Sequence, residues 1–244
     1  MFPFFKSSKA SFNLASLGID MHSHLIAGID DGAKTTTDSL FLIKNLVELG
    51  YQKIITTPHI MNDYYPNTPT IIRQGLKDLK DALEAANINI EIEAAAEYYM
   101  DSQFEIALKQ DAELLTFGDN HILIEQSMLE PHPNLGGVIF QLNTKGYRPI
   151  LAHPERYSYY IKEFSRFEEL KSYGCLFQMN LLSLTGYYGK TQQKLAQKLL
   201  KADLIDFLGT DMHHERHARK IKQMAADKYL LRHLEGKTFL NQQL

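Results

Sequence analysis

Histidine and acidic side chains follow most of the short apolar runs in this chain of 244 residues. These side chains are His22, His24, Asp30, Asp31, His59, Glu97, Glu125, His153, Asp211 and His213. A single imidazole or carboxylate in such a place is more often a hydrogen-bonded structural residue. Many of them on one face would be costly to bury without cations, because charged groups lose their hydration there. The joint pattern therefore predicts a site for several metal ions.

The ligand types indicate which chemistry such a site would perform. Imidazole and carboxylate ligands without sulfur suit Mn, Fe or Zn, and the sequence does not choose among them. Clustered divalent ions lower the pKa of a bridging water and hold both oxygens of an ester, so the pattern favours hydrolysis. Arg156 follows His153 and Arg216 follows His213, each by three residues. A guanidinium can donate two hydrogen bonds to a phosphoryl group, so we expect a phosphate ester and two catalytic arginines.

Two further residue types bear on the substrate and on the nucleophile. Tyrosines crowd the same loops and could wall a slot for an aromatic ring, although rim packing or a subunit interface explains such pairs as well. They are Tyr64, Tyr65, Tyr98, Tyr99, Tyr157, Tyr159, Tyr160, Tyr187 and Tyr188. Cys175 is the only cysteine, and Leu181 stands six residues later, so the cysteine-then-arginine loop of thiol-based phosphatases is absent. We expect Cys175 in the core.

The remaining polar candidates have weaker signals. Asn180 ends an apolar run and could either orient a ligand or bond the backbone. Surface or packing positions are expected for His121, His132, His214, His217 and His233.

The elements that must position these residues alternate between strand and helix patterns. The predicted strands are residues 17–21, 53–57, 90–96, 122–124, 149–152, 176–179 and 204–208. Thr35 and Asp38 predict the start of a first helix that Gly50 ends, and Thr68 followed by Pro69 predicts the start of a second. Strands separated by helices imply a parallel sheet, and seven such units favour a (β/α)7 barrel. An open doubly wound sheet would need a glycine-rich loop after the first strand, which is missing.

Composition limits the class of protein. The length suits one large domain, which we expect over residues 17–244 after a polar leader at 1–16. The net charge of −3 argues against a broad nucleic-acid surface and so disfavours a nuclease. No run approaches the ~18 apolar residues of a spanning helix. A single cysteine allows no intrachain disulfide, and we expect a cytoplasmic protein.

These residues resemble the signature of the PHP (polymerase and histidinol phosphatase) superfamily. The matching motifs are Asp20-Met-His22-Ser-His24, Thr57-Pro-His59, Ala96-Glu97-Tyr-Tyr99, Ile124-Glu125, Ala152-His153-Pro-Glu-Arg156 and Gly209-Thr-Asp211-Met-His213. Within that superfamily the chain is most similar to the manganese-dependent bacterial protein tyrosine phosphatases of capsule and exopolysaccharide synthesis. The resemblance covers residues from about 17 to 225.

The resemblance implies a distorted, TIM-like seven-stranded (β/α) barrel that holds three metal ions, Mn²⁺ in the first place. The ligands that it implies are His22, His24, Asp31, His59, Glu97, Glu125, His153, Asp211 and His213. Arg156 and Arg216 would bind phosphate. The implied partner is the tyrosine-rich tail of a membrane-associated bacterial tyrosine kinase, and oligomerisation stays open.

Three alternatives are kept. The same centre could serve a small-molecule phosphatase such as a histidinol-phosphate phosphatase. A non-catalytic docking protein could keep the metals for stability alone. An amidohydrolase also begins with two histidines after its first strand, but it usually has a modified lysine on strand four, where this chain has Glu125.

Overall fold

The computed structural model describes residues 12–244. Within this range the strands are β1 Ile19–Asp20, β2 Lys53–Thr56, β3 His59–Ile60, β4 Glu91–Ala94, β5 Glu97–Tyr99, β6 His121–Glu125, β7 Arg148–Ala152, β8 Leu176–Asn180 and β9 Phe207–Gly209. The helices are α1 Thr36–Glu48, α2 Pro69–Ala85, α3 Ser102–Lys109, α4 Leu135–Thr144, α5 Ser165–Ser172, α6 Lys190–Lys201, α7 Glu215–Ala225 and α8 Lys228–Leu231.

Every strand pair is parallel, and the strands follow one another around a distorted barrel. One sheet has the order β1-β2-β4, and the other has the order β3-β5-β6-β7-β8-β9. The segments after β9 and β1 meet at a single parallel bridge between Ser23 and Met212. There the amide of Asp211 donates to the carbonyl of His22 at 2.8 Å, and the amide of His24 donates to Met212 at 2.9 Å. The predicted distorted (β/α)7 barrel is therefore confirmed.

Two of the seven predicted strands are each followed by a short second strand in the other sheet, which the sequence did not predict. The predicted strand 90–96 contains β4, and β5 begins after a break at Ala95 and Ala96. The predicted strand 53–57 contains β2, and the separate β3 follows it. Pro58 has no amide hydrogen and cannot donate to a ladder, so the pairing stops there. Beyond the break, the amide of Glu97 donates to the carbonyl of Pro58 at 3.1 Å, and β3 pairs with β5.

Two predicted strand boundaries are wrong. The predicted strand 17–21 shrinks to β1, because Leu17 ends a 3-10 helix, Leu14–Leu17. The predicted strand 204–208 begins three residues too early, at Leu204, whose amide still donates to Leu199 of α6 at 3.2 Å. The apolar side chains of Leu17 and Leu204 predicted strand, whereas the backbone at these two residues belongs to the end of a helix or the turn after it. Of the predicted leader, residues 1–11 lie outside the described part of the chain.

Both predicted helices are confirmed. Thr35 caps α1 through the Asp38 amide, and the Asp38 carboxylate accepts from the Thr35 amide in return, which is a capping box. Thr68 caps α2, whose first residue is Pro69. Gly50 takes the positive φ of 94° that the end of the first helix requires. In the described part of the chain, no helix is both long and apolar enough to cross a lipid bilayer.

Candidate metal centre

The ten candidate side chains converge at one end of the barrel, and nine of them form overlapping groups whose ligand atoms lie within 4.8 Å of one another. The four groups are His24, Asp31, His59 and His213; His22, His24 and Asp211; His22, Glu97 and His153; and His59, Glu97 and Glu125. Residues shared between groups link them into one continuous cluster. The barrel therefore brings together every residue that the resemblance assigned as a ligand.

The breaks that separate β2 from β3 and β4 from β5 position His59 and Glu97 in the cluster. His59 begins β3 and Glu97 begins β5, and the two residues are partners in the strand register. Both follow the carboxyl end of a strand of the smaller sheet, so the break at Pro58 carries them across the mouth of the barrel. There Nδ1 of His59 lies 3.4 Å from Oε2 of Glu97.

Backbone strain marks two further members of the cluster. Among the described residues, His153 and Asp211 have positive φ angles of 34° and 50°. This region is uncommon for a residue other than glycine, and such strain concentrates at functional sites. His153 follows β7 and Asp211 follows β9, and the left-handed turn directs each side chain into the cluster instead of continuing the strand alternation. Both side chains are buried.

Glu97 is the hub of the cluster. Its two oxygens lie 3.1 Å from Nε2 of His22, 3.4 Å from Nε2 of His24 and 3.0 Å from Nε2 of His153. Burial acts to raise the pKa of Glu97, but the charges of His22 and His59 outweigh it and hold that pKa well below its usual range. Glu97 is therefore a carboxylate, an oxygen donor as a hard divalent cation requires.

Two histidines of the cluster, His22 and His59, respond to these charges with pKa shifts in the opposite direction. Burial would lower the pKa of His22, yet Glu97 and Asp211 raise it to about 10. Burial would also lower the pKa of His59, but the charges of Glu97 and Glu125 outweigh this effect and raise that pKa to about 10. Protons and cations are thus alternative ways to neutralise this concentration of carboxylates.

Several nitrogen and oxygen atoms of the cluster lie close together without satisfying one another by hydrogen bonds, as metal-ligand atoms do. The Nε2 atoms of His22 and His24 are 3.3 Å apart. Nδ1 of His59 is buried without a hydrogen-bond partner, although it lies 3.2 Å from Oε1 of Glu125. Nitrogen lone pairs and carboxylate oxygens without sulfur are the donor set of Mn, Fe or Zn, so the residues present fit such ions.

Neighbouring polar side chains fix the tautomers of two histidines. Nδ1 of His24 donates to Oδ2 of Asp30 at 2.8 Å, and Nδ1 of His22 donates to Oε1 of Gln178 at 2.7 Å. In the neutral imidazole that binds a metal ion, each Nε2 is therefore left as a lone-pair donor that faces the cluster. Asp30 also accepts the amides of Gly32 at 2.9 Å and His59 at 3.1 Å. Asp30 thus orients a neighbour, whereas Asp31 reaches the candidate ligand groups.

Gln178 is a functional residue that the sequence reasoning missed. Its Nε2 donates to Oδ1 of Asn180 at 2.9 Å, and Nδ2 of Asn180 donates to Oδ2 of Asp211 at 2.6 Å. Of the two roles left open for Asn180, the side chain thus takes that of orienting a site residue. Two polar residues spaced by two on the buried strand β8 were the available signal, because they share one face. A Cβ on Gly209 would stand 2.6 Å from Nε2 of Gln178, so only glycine leaves room there.

The two predicted phosphate-binding arginines differ in position. Arg156 lies in a 3-10 helix, Pro154–Arg156, directly after His153. Its Nη1 is 3.8 Å from Oδ2 of Asp211, and its guanidinium lies 4.8 Å from the ring centre of Tyr188. Arg216 lies in the first turn of α7, 5.2 Å from the ring centre of Tyr187. It lines a cavity of about 440 Å³ to which none of the nine cluster residues contributes.

Only part of the tyrosine set borders the cluster. The ring of Tyr65 stacks on His59 at 5.5 Å, and Tyr187 and Tyr188 lie under the arginines. By contrast, Tyr98, Tyr157 and Tyr160 are buried, so they do not line an open aromatic slot, although the ring centre of Tyr157 lies 5.8 Å from that of His153. Tyr65 and Tyr188 stand on different sides of the cluster, one on the His59 side and one beside Arg156.

Cys175 and His121 occupy packing positions, as expected from the sequence, whereas His217 contacts a member of the cluster. Cys175 is buried, and burial raises the pKa of its thiol to about 12, so it is not a thiolate at neutral pH. His121 packs between Phe117 and Phe207, with ring centres 5.9 and 5.6 Å away. His217 is buried behind the cluster, where its Nδ1 accepts the amide of His213 at 3.2 Å.

Known proteins are similar to this chain in sequence and in fold. The tyrosine-protein phosphatase YwqE of Bacillus subtilis is 30% identical over 199 residues, covering 80% of this chain and 77% of that protein. The putative tyrosine-protein phosphatase CapC of Staphylococcus aureus is 27% identical, covering 89% of this chain and 86% of that protein. A chain from the crystal structures of YwqE and of CpsB from Streptococcus pneumoniae, described as metal-dependent tyrosine phosphatases, superposes with a TM-score of 0.75 at 28% identity. It covers 91% of this chain and 96% of that one.

The match also extends to a family as a whole. Residues 18–242 match the model of the family described as capsular polysaccharide synthesis, CpsB/CapC. The matched range spans β1 to the C-terminal 3-10 helix Leu240–Gln243 and includes every residue of the cluster. The chain therefore belongs to the CpsB/CapC family of capsular polysaccharide synthesis.

Proposed function

We propose that this chain is a metal-dependent protein-tyrosine phosphatase, a hydrolase of phosphoric monoesters. The observation that carries the proposal is the cluster of nine ligand-type side chains around Glu97, with Arg156 at its edge. We propose three ions, the number that the resemblance implies, with Mn²⁺ in the first place and Fe or Zn as alternatives, held by the four overlapping groups. The relatives named above, which are tyrosine phosphatases, support phosphotyrosine as the substrate.

When bound, the divalent ions supply an activated water as nucleophile and neutralise the charge on the phosphoryl oxygens. The residues of the chain position the reactants around them. Arg156 is held between the carboxylate of Asp211 and the ring of Tyr188, so its donors are oriented before substrate arrives. Arg216 carries no ion pair with a carboxylate among the described residues, and it is available as a second donor to the phosphoryl group.

The aromatic side chains support a phenolic rather than an aliphatic ester. Tyr65 borders the His59 side of the cluster, and Tyr188 borders the Arg156 side. Rings at both edges can contact the faces of a phosphotyrosine ring, which an aliphatic phosphate does not possess. The partner that we propose is a phosphotyrosyl segment of a membrane-associated bacterial tyrosine kinase, met in the cytoplasm.

The test is a side-by-side comparison of substrates with the Mn²⁺-loaded protein. We expect kcat/KM to be higher for a phosphotyrosine peptide than for histidinol phosphate. A reversed order would favour a small-molecule phosphatase. Absence of turnover with both substrates and with p-nitrophenyl phosphate, in a protein that holds its metal, would favour the non-catalytic docking protein.

A further inference from the structure

A buried carboxyl group lies between two residues of the site in the sequence without belonging to the candidate ligands. Glu155 stands between His153 and Arg156, in the 3-10 helix Pro154–Arg156. Its side chain is fully buried, yet it joins none of the four groups of candidate ligands. Burying a carboxyl group is costly unless hydrogen bonds compensate for the lost hydration, so the partners of this group indicate what it does.

One oxygen of Glu155 holds the neighbouring loop. Oε1 accepts the backbone amide of Asn180 at 2.9 Å and the hydroxyl of Ser183 at 2.6 Å. Asn180 is the last residue of β8, and Ser183 lies in the 3-10 helix Leu181–Thr185 that follows. These two bonds therefore tie the segment after β7, which carries Arg156, to the end of β8.

The side chain of Asn180 continues this connection to both neighbours of the Arg156 guanidinium. Its Nδ2 donates to Oδ2 of Asp211 at 2.6 Å and lies 3.5 Å from the hydroxyl of Tyr188. Arg156 in turn lies 3.8 Å from the carboxylate of Asp211 and 4.8 Å from the ring centre of Tyr188. The chain of contacts that begins at Glu155 thus returns to the residue next to it.

We infer that Glu155 is a positioning residue for Arg156. By holding the backbone of Asn180, it fixes the two groups between which the guanidinium lies and so keeps the donors of Arg156 directed at the phosphoryl group. Such support matters for rate, because a displacement of about 1 Å caused far from the chemistry can cost about 100-fold. The inference rests on the proposed function and adds to it a residue outside the candidate ligand groups.

A double-mutant cycle with Arg156 tests this role on the Mn²⁺-loaded protein. Glu155→Ala removes the acceptor of two hydrogen bonds, and it is made both in the wild-type chain and in the Arg156→Ala variant. Two quantities are measured: kcat/KM for a phosphotyrosine peptide, and the Kd of inorganic phosphate by calorimetry. Asn241→Ala is the matched control, because this fully buried side chain bonds the backbone of Ile19 and Leu208 instead.

We expect Glu155→Ala to lower kcat/KM and to raise the phosphate Kd by about tenfold or more in the wild-type chain, since the guanidinium is no longer fixed. In the Arg156→Ala background the same change should alter each quantity by less than about twofold. Glu155→Gln should stay within about threefold of wild type, because its amide oxygen replaces Oε1 and its nitrogen replaces Oε2, which has no hydrogen-bond partner. Asn241→Ala should leave both quantities near their wild-type values and lower only Tm.

Equal losses in the two backgrounds would overturn the inference, because Glu155 would then act on the fold as a whole. It would also be overturned by wild-type values in Glu155→Ala, or by a loss in Glu155→Gln as large as that in Glu155→Ala. If Glu155→Ala does not fold, Ser183→Ala replaces it in the cycle and removes one of the two bonds, with an expected loss of about threefold to fivefold. If the wild-type protein hydrolyses no phosphotyrosine peptide, the proposed function has failed, whereas the phosphate Kd still tests the role of Glu155.

Discussion

Gln178 and His22 form a buried hydrogen bond of 2.7 Å in which the imidazole Nδ1 donates to the amide oxygen. This bond fixes the proton of His22 on the side away from the candidate ions. The other end of the same amide group holds Asn180, which in turn holds Asp211. One amide side chain thus orients two candidate ligands, His22 and Asp211, that lie 189 positions apart in the chain.

Replacing Gln178 by leucine should lower metal affinity. The His22 tautomer and the Asn180 orientation both lose their partner, and the loss of such a supporting contact costs about 10–100-fold in affinity. Binding of Mn²⁺ to the metal-free variant, followed by calorimetry, measures it. Gln193→Leu is the matched control, because Gln193 bonds the carbonyl of Leu184 away from the cluster. Equal affinity of Gln178→Leu and wild type would show that the amide has no part in orienting ligands.

Removing a candidate ligand should remove metal and rate together. His153→Ala and Glu125→Ala each take one donor from a shared group, so we expect lower metal content by elemental analysis and a kcat reduced by about 100-fold or more. His233→Ala, a partly exposed histidine outside the cluster, should retain both. Full metal content in both ligand variants would mean that the ions bind elsewhere.

Cysteine chemistry should be irrelevant to turnover. The Cys175 thiol is buried and its pKa is raised by that burial, so it is neither accessible nor ionised. Cys175→Ser should therefore change kcat/KM for a phosphotyrosine peptide by less than about threefold, the scale of a small packing change. Loss of activity in this variant, in protein that remains folded by circular dichroism, would point to a thiolate nucleophile.

The metal-free protein should lose stability as the pH rises. Folding raises the pKa of His22 and of His59 from 6.5 to about 10, so the folded state binds more protons than the unfolded state between these values. Their contribution is fully present below pH 6.5 and is lost as the pH rises toward 10. We expect Tm in the presence of a chelator to be several degrees lower at pH 9 than at pH 6.5.

The metal-loaded protein serves as the control for this pH effect. Bound cations take the place of the protons, so its Tm should change less over the same interval. A metal-free protein whose Tm rises from pH 6.5 to pH 9 would contradict the charge balance described for the cluster.

Much of the site could be predicted from sequence because strand ends in a parallel barrel meet at one face. His22, Glu125 and His153 each follow or end a run that the apolar pattern revealed. The position of each residue at the end of a strand was sufficient to predict that it belongs to the site, since the barrel brings the strand ends together. The capping residue Thr35 likewise acts within its own turn, so local chemistry was enough to predict where α1 begins.

The features that were missed depend on contacts distant in sequence. The change of sheet after Pro58 is visible only when the pairing of β3 with β5 is known. Gln178 looked like an ordinary strand residue, because its role needs His22, which lies 156 positions earlier in the chain. The direction of Arg216 depends on how the first turn of α7 packs against Tyr187, which spacing after Asp211 does not determine.

We propose that imidazoles and carboxylates around Glu97 hold the ions that make the chain a phosphatase. The most direct test is to titrate metal-free protein with Mn²⁺ and to measure phosphotyrosine-peptide hydrolysis and bound metal at each step. Activity should be absent without metal and should reach its maximum when the cluster is filled, at about three ions per chain. Undiminished hydrolysis by protein shown to contain no metal would contradict the account.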